Sequence, residues 1–186
     1  SNSFLTRENA TYRLSGVVVI DPTPEQLALR RPGDAIELWP CASKPDQFGE
    51  RWCNFNSVLP FTGDPDCAAE SIVAIELAKP CHGSARANTP LFADEFGQPY
   101  TYSRLNHMFH LLMVALFGKA VASTLSWHSI RIGLAVSLRA AGCPDPIIQI
   151  ICRWACAKSL ETYALVHTSQ NLLWMDKATH IEVDVL

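Results

Sequence analysis

The 186-residue chain predicts an α+β fold, a mostly helical domain with a small antiparallel β-sheet near the N-terminus. Three observations carry this expectation. Short β-branched runs punctuated by Pro and Gly are confined to residues 17–61. From residue 69 onward, apolar residues recur at three- and four-residue intervals. No internal repeat, low-complexity tract or evident linker separates the two patterns.

The strands come first. Val17 to Ile20 stops at Asp21 and Pro22, Ile36 to Trp39 follows Pro32, Gly33 and Asp34, and Ser57 to Phe61 ends before Gly63, Asp64 and Pro65. Between Pro65 and Pro80, Ala69, Ile72, Val73 and Leu77 mark one apolar helix face. Residues 81–99 carry Gly83, Asn88, Pro90, Gly97 and Pro99 and read as a loop. Thr101 or Ser103 then caps an amphipathic helix whose apolar residues are Leu105, Met108, Phe109, Leu112 and Leu116, with Met108 and Phe109 in the core and Gly118 as the stop. A further helix runs from Trp127 to Ala141 and is closed by Gly142, and Asp145 and Pro146 open a shorter one through Arg153. Residues 159–166 and 172–177 read as two more short helical pieces.

With 48% hydrophobic residues, the chain can bury one substantial core, so residues 1–186 are expected to form one domain. No run approaches the ~18 consecutive apolar residues of a membrane span. The start, SNSFLTRENA, lacks the basic flank and apolar stretch of a signal peptide. A soluble protein of the cytoplasm or nucleus is expected. Seven cysteines, an odd number without framework spacing, fit reduced thiols. Cys152 and Cys156 have no second close pair of ligands, so no metal site is expected, and without a Walker or Gly-x-Gly-x-x-Gly loop no nucleotide cofactor is either. The net charge of −3 excludes a uniformly basic surface, so any nucleic-acid site must concentrate its cations locally.

Chemistry-bearing residues cluster after residue 123. His128 and Arg131 are three apart and share a helix face; Arg153 and Trp154 end the next helix; Tyr163 follows nine residues after Trp154. Taken alone, each has an ordinary explanation: Tyr163 and Trp154 as half-buried packing residues, His128 near a helix start, Arg131 in a salt bridge to Asp145 or Glu161. Together they form a set suited to phosphoryl transfer. A phenol can attack phosphorus and hold the bond energy as an ester, but with a pKa of about 10 it needs nearby cations. Guanidinium groups fork onto nonbridging phosphate oxygens and stabilise the pentacoordinate transition state. Imidazole and indole N–H groups supply further hydrogen bonds.

The stretch from Trp127 to Tyr163, with its ordered His-x-x-Arg, Arg-Trp and Tyr, resembles the C-terminal catalytic block of tyrosine recombinases and phage-type integrases. The resemblance implies that Tyr163 is the nucleophile, that Arg131, His128 and Trp154 hold the scissile phosphate, and that no cofactor is needed. LWPCASKPDQFGE is similar to the family's β-hairpin, making Lys44 the acid for the leaving 5′-oxygen. The family's first catalytic arginine lies on a helix before the sheet in an Arg-x-x-Glu pattern. FLTRENATY offers Arg7, with Ala10 in the Glu place, and Arg13 is the alternative. Cys152 stands where glycine is usual before the Arg-Trp element, a position where a glycine-type backbone is expected. Arg104, Arg153 and Lys158 are candidate DNA contacts.

The function implied is site-specific recombination through a 3′-phosphotyrosine on double-stranded DNA, by a homotetramer on paired sites that is monomeric as an isolated domain. The family's N-terminal core-binding domain is expected to be absent from this chain. Type IB topoisomerase activity and an inactive, domesticated DNA-binding domain are the alternatives. The segment from Gln170 to Leu186 is expected to dock on a neighbouring protomer or on its own domain.

Overall fold

The computed structural model describes residues 4–39, 56–153 and 168–181. The α+β expectation holds. Four strands, β1 (Ala10–Leu14), β2 (Val17–Val19), β3 (Ala35–Leu38) and β4 (Ser57–Pro60), form one antiparallel sheet in the order β2-β1-β3-β4.

β1 was not among the predicted strands. The helix expected around Arg7 is replaced by a three-residue 3-10 turn, Arg7–Asn9, leading directly into the sheet. Ala10, Tyr12 and Leu14 alternate inward with period two, the pattern of a half-buried strand. Ser15 and Gly16, both at positive φ, turn the chain back into β2, as a two-residue hairpin loop requires. Asp34 accepts from the Ser15 backbone N–H at 2.7 Å and fixes that turn.

One face of the sheet carries the first core, where Tyr12, Leu14 and Ile36 meet Leu27, Phe61, Ile72 and Leu91. Leu27 comes from a short helix missed in the sequence, α1 (Pro24–Ala28), capped by Thr23 with Pro24 in its first turn. The predicted helix after Pro65 is α2 (Ala68–Ala78). Its inward face is Ala69, Ile72, Val73 and Glu76, whereas the expected Leu77 is 45% exposed. A charged residue thus occupies the last inward turn.

α3 (Tyr102–Ala122) starts at Thr101, whose hydroxyl accepts from the Arg104 N–H. The first run of α3 stops at Gly118, as the sequence predicts: its φ of 76° and ψ of 164° are non-helical, and a last short turn to Ala122 follows across that kink. Phe109 and Met113 are buried, yet Met108, Leu112 and Leu116 are about half exposed, so the expected core stripe is only partly in the core. Among the described residues, α3 is the one helix long and apolar enough to cross a membrane, with 17% of its most apolar window buried. Asn106, His107 and His110 interrupt that apolar run.

α4 (Trp127–Ala140) ends as predicted at Gly142, where the Cys143 N–H reaches the Leu138 carbonyl and the Gly142 N–H reaches Arg139 in a left-handed helix stop. α5 (Asp145–Ile151) and α6 (Thr168–Thr179) follow. α6 is longer than the predicted 172–177. Ala135, Leu138, Cys143, Ile148, Cys152 and Ala178 form the second core, with Trp174 and Met175 of α6 against it. The C-terminal segment therefore packs on its own domain through α6. Burial pushes the Cys143 thiol up to about 11 and raises Cys152 as well, as suits packing residues.

Candidate functional site

Of the six residues proposed for catalysis, Arg7, His128 and Arg131 fall within the described residues; Lys44, Trp154 and Tyr163 lie outside them, as does Lys158. Residues 40–55, which contain Lys44, link β3 and β4, and those two strands pair antiparallel.

α4 begins at Ser126, whose N–H donates to the Ser129 hydroxyl at 3.1 Å. Trp127 stacks on Phe109 with ring centroids 4.6 Å apart, which seats the first turn of α4 on α3. His128, Arg131, Ala135 and Leu138 are spaced by three and four residues and so form one stripe. Its C-terminal half, Ala135 and Leu138, is buried in the second core. Its N-terminal half, His128 and Arg131, is exposed. The same face that packs the domain together therefore presents a cation and an imidazole where the core gives out.

Arg131 lies close enough to Cys152 for its charge to act on that thiol. No ion pair holds it among the described residues, and the expected partner Asp145 instead takes Arg139 at 2.8 Å. Glu161, the other expected partner, is outside the described residues.

Cys152 does not have a glycine-type backbone. It caps α5 at φ −78°, and the left-handed conformation falls on the next residue, Arg153, at φ 50°. That conformation costs an L-residue about 1–2 kcal/mol. Arg153 offsets part of it by donating from its guanidinium to the Ser57 hydroxyl at 3.1 Å, which ties the end of α5 to the start of β4. Arg153→Gly is expected to be more stable than Arg153→Ala by about 1 kcal/mol, since both lose the side chain and only glycine relieves the strain. Urea denaturation of the two variants checks this, and equal midpoints would contradict it.

Arg7 and Arg104 are differently placed. Arg104 is exposed, but Asp94 at 3.1 Å and Glu95 at 2.8 Å already neutralise it, and it stacks over Tyr100. Arg7 is 3% exposed. Its guanidinium donates to Glu76 Oε2 and to the Lys79 carbonyl, both at 2.7 Å. Arg13, on β1, pairs with Glu37 at 2.7 Å and keeps about a third of its side chain exposed.

Sequence reading missed the network around Glu76. Besides Arg7, its carboxylate accepts from Arg86 at 2.9 Å and from the Tyr12 hydroxyl at 2.9 Å. Burial, reinforced by the Glu76 charge, holds the Tyr12 hydroxyl well above the ordinary tyrosine range. The available signal was Glu76 itself, a carboxylate four residues after Ile72 on an otherwise apolar face. No cluster of His, Cys, Asp and Glu suited to a metal occurs among the described residues.

The fold and these positions define an α+β domain with an exposed His-x-x-Arg at the edge of a helical core. No family model, curated protein or solved structure matches the chain.

Proposed function

We propose that this chain is the catalytic domain of a DNA strand-exchange enzyme of the tyrosine recombinase type. The observation that carries the reading is Arg131: an exposed guanidinium without a carboxylate partner among the described residues, one helical turn from His128. An arginine in that state is available for a phosphate, and its neighbours in sequence are those a phosphotyrosine mechanism uses.

In the reaction, the Tyr163 hydroxyl gives up its proton to solvent as its oxygen attacks the scissile phosphorus, a 3′-phosphotyrosine bond forms, and the bond from phosphorus to the 5′-oxygen breaks. Arg131 stabilises the charge on the nonbridging oxygens, His128 and Trp154 donate hydrogen bonds, and the Lys44 ammonium gives its proton to the leaving 5′-oxygen. A 5′-hydroxyl from the partner duplex reverses these steps and regenerates the tyrosine. The ester conserves the bond energy, so the cycle draws on no nucleotide. A tetramer on two duplexes, in whichever of cytoplasm or nucleus holds the DNA, completes the proposal. For the second guanidinium, Arg13 is more accessible than Arg7, while Arg153 and Lys158 are further backbone contacts.

The test is covalent capture on nicked suicide duplexes. A protein–DNA adduct confined to one target sequence, and lost in Tyr163→Phe, supports the recombinase. An adduct without sequence preference, with relaxation of supercoils, would instead indicate topoisomerase chemistry. An adduct that persists in Tyr163→Phe refutes the nucleophile. One observation favours an inactive DNA-binding domain: Arg7, the residue offered for the first catalytic arginine, is buried against Glu76. Binding to duplex DNA with no adduct on any substrate would decide for it.

A further inference from the structure

A recess of about 420 Å³ opens between the C-terminal end of α2 and the loop of residues 89–100. Ile75, Ala78, Leu91, Phe92 and Tyr100 give it mostly apolar walls, and Arg7 and Lys79 also line it. The volume falls in the range of about 300–1,000 Å³ typical of small-molecule sites, as does a largely apolar lining with few polar groups.

Two buried guanidiniums lie beside the recess with one buried carboxylate between them. Arg7 and Arg86 are both 3% exposed and share the single buried carboxylate of Glu76. Asp21, which also meets His82 and the Gly83 N–H, is the second anion for Arg86, at 3.8 Å. Among the described residues, Arg7 has no second carboxylate, and its Nε–H is buried without an acceptor. A buried cation with part of its hydrogen-bonding capacity unused is costly, and an anion brought into contact with it would remove that cost.

We propose that this recess binds a small amphipathic carboxylate, its apolar body against Ile75, Leu91 and Phe92 and its carboxylate paired with Arg7. Lys79, exposed at the same recess, adds to the attraction for an anion. The site is separate from α4 and stands whether or not the chain cuts DNA. The competing account is that the Lys79 and Ile75 carbonyls at the end of α2, which accept from Arg7 at 2.7 and 3.5 Å, already satisfy the cation.

The full chain is titrated calorimetrically at pH 7.5 with decanoate and, separately, with decanol, both below their aggregation limits. Ala78→Trp serves as the blocking variant, because Ala78 is exposed, lines the recess and belongs to neither ion pair. Saturable one-site binding of decanoate, at least tenfold tighter than decanol and weakened at least tenfold by Ala78→Trp, is the expected result. Equal affinity for decanol would show that Arg7 needs no anion, and overturns the proposal. So do unchanged binding in Ala78→Trp, which would put the ligand elsewhere, and a lack of decanoate binding.

Discussion

Arg131→Ala is expected to slow covalent capture of a suicide duplex by about 10²–10³-fold, the usual cost of removing one donor aimed at a transition-state oxygen. The effect on stability should stay within about 0.5 kcal/mol. Arg131 is exposed and, among the described residues, in no ion pair, so its loss strands no buried carboxylate there. Arg131→Lys keeps the charge but not the planar fork, and should recover only part of the rate. Single-turnover adduct formation, read beside urea denaturation of the same preparations, separates the two quantities. A normal rate in Arg131→Ala would remove the observation on which the functional proposal stands.

Glu76→Gln is expected to destabilise the fold by about 3–5 kcal/mol, because it leaves the Arg7 and Arg86 guanidiniums buried without their shared anion. That is a large part of the ~5–15 kcal/mol that holds a domain folded. Tyr12→Phe removes one hydrogen bond to the same carboxylate and should cost less, about 1.5–3 kcal/mol. Denaturant midpoints of the two variants give the order directly. A loss below about 1 kcal/mol in Glu76→Gln would mean that water or backbone carbonyls replace the carboxylate.

Local signals were legible where one segment contains its own cause. Gly142 ends α4 because a left-handed residue must follow the last turn, and the Pro and Gly clusters that bound β3 and β4 act on neighbouring residues alone. β1 was hidden because ATYRL is too short to betray its period and is fixed by pairing with β2 on one side and β3 on the other. The choice of Glu76 over Leu77 for the inward turn of α2 was hidden for a related reason: its partners Arg7, Tyr12 and Arg86 come from three other segments. At the candidate site, the His128 and Arg131 spacing predicted a shared face, whereas the open end of that face and the pairing of Asp145 with Arg139 depended on how α4 meets α5 and α6.

The sequence by itself determined the fold class, the helix boundaries set by caps and glycines, and the order of the residues suited to phosphoryl transfer, because periodicity, capping and spacing are properties of contiguous chain. Tertiary structure alone decided which arginines are spent and which are available. Arg7, Arg104 and Arg131 look alike in sequence, but a guanidinium's role depends on the carboxylates that folding brings within about 4 Å of it, and those come from distant Glu76 for Arg7 and from Asp94 and Glu95 in the preceding loop for Arg104.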